Sequence, residues 1–331
     1  MAWNIAYGGI AMHTEGSMEQ ALRRVLKSAG YTTGIFGKWG LGNPGSVSIP
    51  NKMGFDEFYG YNCQRQSHSF YPDHLWHNEE KVLFPENENN ACKTYSQDLI
   101  HEQALKFIRD HKEQPFFAML TYTLPHAELN LPHDSVYKMY ENSFEETPYI
   151  GKFDKVYGGY NTSEKPLASF AAMVSRLDKY VGDVMAELKE LGLDKNTIVI
   201  FTSDNGPWLT EHENGGSAGP LKDGKGTWWE GGFRVPAICW MPGKINPAIN
   251  DEIMTSMDLY PTFLSMAGIE QPKDLVLDGV NQTGLLFEEK HSARDEVYYW
   301  WGSELMAIRK GEWKYYFKTI KDQYLRTCKI E

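Results

Sequence analysis

The sequence predicts an α/β domain built on a sheet buried on both faces, followed by a small antiparallel sheet. Two patterns predict it. Helical apolar stripes alternate with short, almost wholly apolar runs, as in βα units whose strands meet side chains on both faces. After Asp295 the pattern changes to aromatic, strand-like runs with no helix between them.

The elements follow in order. Ser17-Met18-Glu19-Gln20 reads as a capping box, Met18, Leu22, Val25 and Leu26 as the stripe of the helix it opens, and Gly30 as its end. Thr32 to Phe36 is a short strand that runs into the glycine-rich loop 37–42. A helix over 97–111 puts Ile100, Ala104, Phe107 and Ile108 on one face, and the strand Phe116 to Tyr122 and the loop Leu124-Pro125-His126 follow. Residues 127–165, polar and irregular, read as a surface excursion. The spacing then predicts a helix over 167–191, with Phe170, Met173, Val174, Leu177, Val181 and Val184 inward, and a strand over 197–203. Val297 to Trp301 and Trp313 to Phe317 form the C-terminal sheet. No repeat or low-complexity segment interrupts this order.

With 331 residues, 41% of them hydrophobic, the chain is long enough for one large domain, or a large and a small one. Its net charge of -11 disfavours non-specific binding to nucleic acid, so an anionic substrate would need a local basic cluster. No apolar stretch is long enough to span a membrane, and no signal peptide is visible. The four cysteines, Cys63, Cys92, Cys239 and Cys328, show no CxxC spacing. Cys239 lies in an apolar run and reads as a small buried residue. Asn161-Thr162-Ser163 and Asn281-Gln282-Thr283 are formal glycosylation sequons.

Ligands of such sheets gather at the carboxyl ends of the strands. Lys38, His126 and Asp204 each sit just past such an end. Asp204 and Asn205 offer a carboxylate and an amide oxygen, which suit Ca²⁺ or Mg²⁺ rather than zinc, although Asp-Asn-Gly is also a common turn. Of the ten tryptophans, Trp208 is a candidate substrate contact, while Trp228 and Trp229 read as packing residues. Lys222 and His212 are close to these motifs in sequence, and Arg234 reads as a structural partner of Glu230.

The segment Gly30 to Gly42, GYTTGIFGKWGLG, resembles the G-Y-x-T-x-x-x-G-K-W-H-L-G signature of the sulfatases. Thr202 to Gly206 is similar to their metal-binding segment, and Pro125-His126-Ala127 to the motif that supplies an active-site histidine. Gly224-Lys225-Gly226 with Glu230 to Pro236 resembles their second lysine block. The motifs stand in family order, and weaker similarity at Met257 to Thr262 and at Asp278-Gly279 extends the match to about residue 290. The resemblance implies an alkaline-phosphatase-like sandwich with a large mixed sheet, with residues 1–290 as the catalytic domain and 291–331 as the start of a C-terminal subdomain. It implies hydrolysis of sulfate esters, of a small molecule or of a glycan, in a periplasmic, secreted or lysosomal compartment. Asp204 and Asn205 would be calcium ligands, with Mg²⁺ as the alternative. Lys38 and Lys225 would neutralise the sulfate oxygens, and His126 would contact the bridging oxygen and protonate the leaving alcohol.

The sequence departs from the family in four places. None of its cysteines lies in the C-x-P/A-x-R motif whose cysteine becomes the formylglycine nucleophile, and the N-terminal aspartate pair is absent. The chain ends soon after Trp313. Gly40 stands where many members have histidine, a variant that, with Tyr71 to Trp76, fits bacterial polysaccharide sulfatases better than lysosomal ones. The expectation is a parent sulfatase whose nucleophile segment lies upstream of Met1, so that this chain alone turns over poorly. A two-zinc phosphatase or phosphodiesterase of the same superfamily and a non-catalytic sulfoglycan-binding remnant are the alternatives.

Overall fold

The computed structural model describes residues 25–151, 160–208, 214–272 and 276–318. The capping box at residues 17–20, His212 and Cys328 lie outside them. The strands are β1 (Thr32–Lys38), β2 (Glu57–Tyr61), β3 (His74–His77), β4 (Glu80–Leu83), β5 (Phe116–Thr121), β6 (Val199–Thr202), β7 (Ala237–Trp240), β8 (Glu296–Trp301), β9 (Glu304–Lys310) and β10 (Trp313–Tyr316). The helices are α1 (Ser96–Asp110), α2 (Ser135–Lys138), α3 (Pro166–Glu190), α4 (Glu230–Phe233), α5 (Leu259–Met266) and α6 (Thr283–Phe287).

A five-stranded sheet, in the order β4-β3-β2-β1-β5, forms the centre. β1 pairs in parallel with both β2 and β5, whereas β2, β3 and β4 run antiparallel, so the sheet is mixed. Side chains alternate across it. Phe116, Ala118 and Leu120 of β5 join Phe36, Ile100 and Phe107 on the face covered by α1 and α3. Phe117 points to the opposite face, with Ile35, Phe58 and Phe263 of α5. β1, β2 and β5 are therefore buried on both faces, as the apolar runs predicted, while the edge strand β4 is exposed. Gly30 does end the first helix, with φ of +82° and hydrogen bonds from the amides of Gly30 and Tyr31 back to Lys27 and Leu26.

Four expectations need correction. β6 hydrogen-bonds only to β7 among the described strands, so Asp204 follows a strand outside the five-stranded sheet. The apolar alternation still aligns it with that sheet, because Val199 enters the first core while Ile198 and Ile200 enter the second. The buried face of α3 is Ala168, Ala172, Met173, Arg176, Tyr180, Val184 and Leu188, and Val174 is exposed. A buried arginine shifted that face away from the purely apolar stripe: Arg176 pairs with Asp98 of α1 and with Asp134, the cap of α2. Residues 127–165 are no mere surface excursion, since Leu129, Leu131 and Tyr137 belong to a third core with Tyr95 and Tyr180. Their apolar residues are too sparse and aperiodic to announce this. Finally, β9 had gone unread between the two aromatic strands, which it separates in the sheet order β10-β9-β8.

Arg294 joins two short segments of the distal match. Its guanidinium donates to the Asp258 carboxylate at 2.7–3.0 Å and to the Asp278 carbonyl at 2.6 Å.

Candidate active site

Lys38 ends β1, and glycines hold it there. A Cβ on Gly37 would lie 2.1 Å from the Thr121 carbonyl oxygen of β5, and one on Gly60 would lie 2.0 Å from the Gly37 carbonyl oxygen. Close approach of β1, β2 and β5 at their carboxyl ends thus requires glycine at both positions. The Trp39 amide then donates to Tyr61 at 3.0 Å, and its indole donates to the Ser48 carbonyl at 2.7 Å, which fixes the loop. Gly40 has φ of +75°, and a Cβ there would stand 2.5 Å from Oε1 of Gln64. Where the signature usually has histidine, this loop has a left-handed glycine with the Gln64 amide against it.

His126 follows β5 after the cis Leu124–Pro125 bond, and its amide donates to Thr123 at 2.9 Å. Its Nδ1 is buried without a partner. Burial, and then the charges of Lys225, Lys38 and His68, lower its pKa to about 3. Sequence reasoning missed His68, which stacks on His126 with ring centroids 5.1 Å apart and planes at 17°. Burial followed by Lys38, Lys225 and Arg65 lowers the His68 pKa to about 4. Both imidazoles are neutral at pH 7. The Lys38 pKa is lowered by burial and by Lys225, with Asp204 opposing. Lys38, Lys225, His126 and Asp204 therefore share one electrostatic environment, although they come from three distant parts of the chain.

Backbone contacts knit the Asp204 loop to the second lysine block. The Lys225 amide donates to the Pro207 carbonyl at 2.8 Å, and the Gly206 amide to the Gly232 carbonyl at 3.1 Å. A Cβ on Gly206 would lie 1.7 Å from the Gly231 carbonyl oxygen, so only glycine fits. Lys225 Nζ stands 5.9 Å from the Trp208 ring centroid, and Trp208 meets Tyr160 edge-on at 6.2 Å. Tyr160 also contacts His126 and His68, at 5.8 and 5.5 Å, and completes an aromatic wall beside the basic groups. Neither His68 nor Tyr160 carried a sequence signal, as each sits alone in an aperiodic segment.

The other candidates fall outside this cluster. Lys222 lies over the Trp229 ring at 3.8 Å, and Trp228 and Trp229 pack against Trp301 and Tyr316 of the C-terminal sheet. Arg234 pairs with Asp251 at 3.4 Å rather than with the Glu230 carboxylate. Three C-terminal partners, Arg309, Lys314 and Tyr299, surround that carboxylate and displace Arg234 from it.

The Asp204 carboxylate and the Asn205 amide oxygen are hard donors of the type Ca²⁺ and Mg²⁺ take, and Asn205 Nδ2 donates to the Gly206 carbonyl at 2.9 Å. They would supply two of the roughly six to eight oxygens that Ca²⁺ takes. Among the described residues no group of three or more His, Cys, Asp or Glu side chains gathers to complete such a shell. The cysteines do not fit a formylglycine precursor: none has the C-x-P/A-x-R surroundings, and Cys239 is a half-buried strand residue whose thiol pKa desolvation raises to about 12.

Known proteins match most of this chain. The sulfatase family model matches residues 5–269, and the model for the C-terminal part of N-sulphoglucosamine sulphohydrolase matches residues 224–321. An arylsulfatase of Hemicentrotus pulcherrimus is 30% identical over 94% of this chain and 54% of its own length. An N-acetylgalactosamine-6-sulfatase of Canis lupus familiaris is 33% identical over 91% of this chain and 55% of its own. Among solved structures, Ps i-CgsB in complex with k-i-k-neocarrahexaose superposes with a TM-score of 0.71 at 28% identity, covering 88% of this chain and 64% of that one. PsFucS1 sulfatase from Pseudoalteromonas sp. gives 0.70 at 25% identity, covering 95% and 64%. The chain spans about half the length of the curated relatives it matches. Its five-stranded mixed sheet and small antiparallel sheet have the alkaline-phosphatase-like architecture of these structures. On its motifs, its fold and these matches, the chain belongs to the sulfatase family.

Proposed function

We propose that this chain forms the sulfate-recognising part of a sulfuric ester hydrolase acting on a sulfated carbohydrate, with residues 1–290 as the catalytic domain and 291–331 as the start of a C-terminal subdomain. The observation that carries the reading is the convergence of Lys38 and Lys225 on two half-buried, neutral histidines, with Asp204 acting on Lys38. This is the local basic cluster that a chain of net charge -11 needs in order to hold an anion.

In the net reaction the ester S–O bond breaks, a water oxygen ends on sulfur, and the alcohol oxygen gains a proton. Lys38 and Lys225 bind and orient the sulfate, and offset the charge that develops on its oxygens. His126 contacts the bridging oxygen. Burial is the main cause of the low His126 pKa and the two ammonium charges add to it; bound sulfate offsets those charges, which helps the imidazole hold the proton that the alcohol takes. Asp204 and Asn205 would hold Ca²⁺, or Mg²⁺ in its place, and such an ion supplies Lewis-acid polarisation of sulfate oxygens. Trp208 lines the substrate side. No covalent step is assigned to this chain, because none of its cysteines has the nucleophile motif.

Relatives that include an N-acetylgalactosamine-6-sulfatase, and a structural neighbour solved with a neocarrahexaose, favour a glycan substrate. An exported or lysosomal compartment accords with such a substrate. No helix among the described residues is long and apolar enough to cross a membrane. The test is calorimetry with inorganic sulfate and with N-acetylgalactosamine 6-sulfate, with and without Ca²⁺, together with an aryl sulfate turnover assay. Binding of both anions with little turnover is expected. A chain that binds neither anion contradicts the reading, and rapid turnover abolished by Asp204→Ala contradicts the expected low activity.

A further inference from the structure

We infer that Glu128 is the positioning residue for Tyr160, and that Tyr160, held against the paired histidines, is the wall on which the substrate's sugar ring rests. This rests on the sulfate-ester reading and adds to it the part of the site that meets the sugar rather than the sulfate.

Glu128 is fully buried two residues after His126. Its carboxyl accepts from the Asn130 amide at 3.0 Å, from the Asn161 amide at 3.2 Å, and from Asn161 Nδ2 at 3.2 and 3.3 Å. Asn161 is the residue after Tyr160, so the carboxyl grips the backbone at the point where Tyr160 enters the site. Asn90 Nδ2 donates to Asn161 Oδ1 at 2.7 Å, and Asn130 Nδ2 donates to Cys92 Sγ at 3.1 Å. Three chain segments are thereby tied at one buried carboxyl. The outcome is visible in the rings: Tyr160 touches His68, His126 and Trp208 together.

A carboxyl is expensive to bury, and burial lifts the Glu128 pKa to about 7 against the opposing pull of the Asn161 and Asn130 donors. Its described hydrogen-bond donors are neutral amides. An ion pair would serve stability alone as well, but three amide donors making four hydrogen bonds fix the position of a loop. What that loop presents is an aromatic ring, partly exposed and edge-on to Trp208 beside the Lys225 ammonium. An amphipathic tyrosine ring suits the apolar face of a pyranose while its hydroxyl stays polar.

The test combines a ligand-free and a ligand-bound readout. In selectively labelled protein, cross-relaxation between the Tyr160 ring and the His68 and His126 imidazoles is expected in the native chain. It is expected to vanish in Glu128→Ala. Asn161→Ala removes the two Nδ2 bonds to the carboxyl, keeping only the backbone one, and serves as a weakened grip if Glu128→Ala does not fold. By calorimetry, Glu128→Ala and Tyr160→Ala should each bind N-acetylgalactosamine 6-sulfate about tenfold more weakly, and the double variant no worse than either, which corresponds to about 1.4 kcal/mol. Affinity for inorganic sulfate should stay unchanged in all of them, a separation that general destabilisation would not give. Persistent ring contacts in the folded Glu128→Ala and Asn161→Ala variants, or full sugar affinity in Tyr160→Ala, overturns the inference while leaving the sulfate reading intact. A native chain that fails to bind inorganic sulfate overturns both.

Discussion

The imidazoles of His68 and His126 lie nearly parallel, 5.1 Å apart, with burial and then Lys38 and Lys225 depressing the pKa of each. Two neutral rings between two cations form a site that an anion completes.

Sulfate should therefore raise both histidine pKa values. Without ligand the rings titrate near about 3 and about 4, and an anion that neutralises the lysines removes part of the cause. Histidine chemical shifts recorded against pH, with and without sulfate, measure this directly. Unmoved titration curves in saturating sulfate would place the anion elsewhere. The sign for stability follows from the same shifts. The folded pKa values lie below the unfolded value of about 6.5, so this pair's contribution is complete above that pH and is lost as pH falls toward about 4 and 3. Sulfate should protect against that loss.

Replacing Lys38 or Lys225 by alanine should weaken sulfate binding by about 10- to 100-fold, the equivalent of about 1.5–3 kcal/mol for a charged hydrogen bond. The same variants should raise the His126 pKa without ligand, because a repelling charge is gone. A variant that loses affinity but leaves the histidine titration untouched would show that the lysine acts outside the cluster.

Restoring the family histidine with Gly40→His should destabilise the chain by about 1–2 kcal/mol from the left-handed backbone alone, plus the displacement of Gln64. Gly40→Ala with Gln64→Ala should recover only the steric part. Urea denaturation midpoints separate the two, and a neutral Gly40→His would mean the loop has another low-energy conformation.

Two ion pairs of the distal half should differ sharply. Arg294→Ala leaves the fully buried Asp258 charge without its partner and should cost about 3–5 kcal/mol. Arg234→Ala removes an exposed pair with Asp251 and should cost less than about 1 kcal/mol. Similar losses in thermal unfolding would contradict the burial argument.

Much of the candidate site was legible in the sequence because its residues sit just past strand ends, and strand ends are marked by apolar runs followed by glycine or proline. Lys38, His126 and Asp204 were placed that way, and Lys225 by its motif. His68 and Tyr160 were not, since they reach the site through a 3₁₀ turn and an irregular segment, neither of which has a period.

By itself the sequence determined the βα layering, the doubly buried strands and the family, because apolar alternation and local motifs are properties of neighbouring residues. Only the tertiary structure decided that β6 pairs with β7 outside the main sheet, that α3 buries Arg176, that Gln64 stands against Gly40, and that Glu128 holds Tyr160 at the histidine pair. Each of these is a contact between residues far apart in the chain. Their energies depend on burial and on the direction of approach, and no local pattern of residue types encodes either.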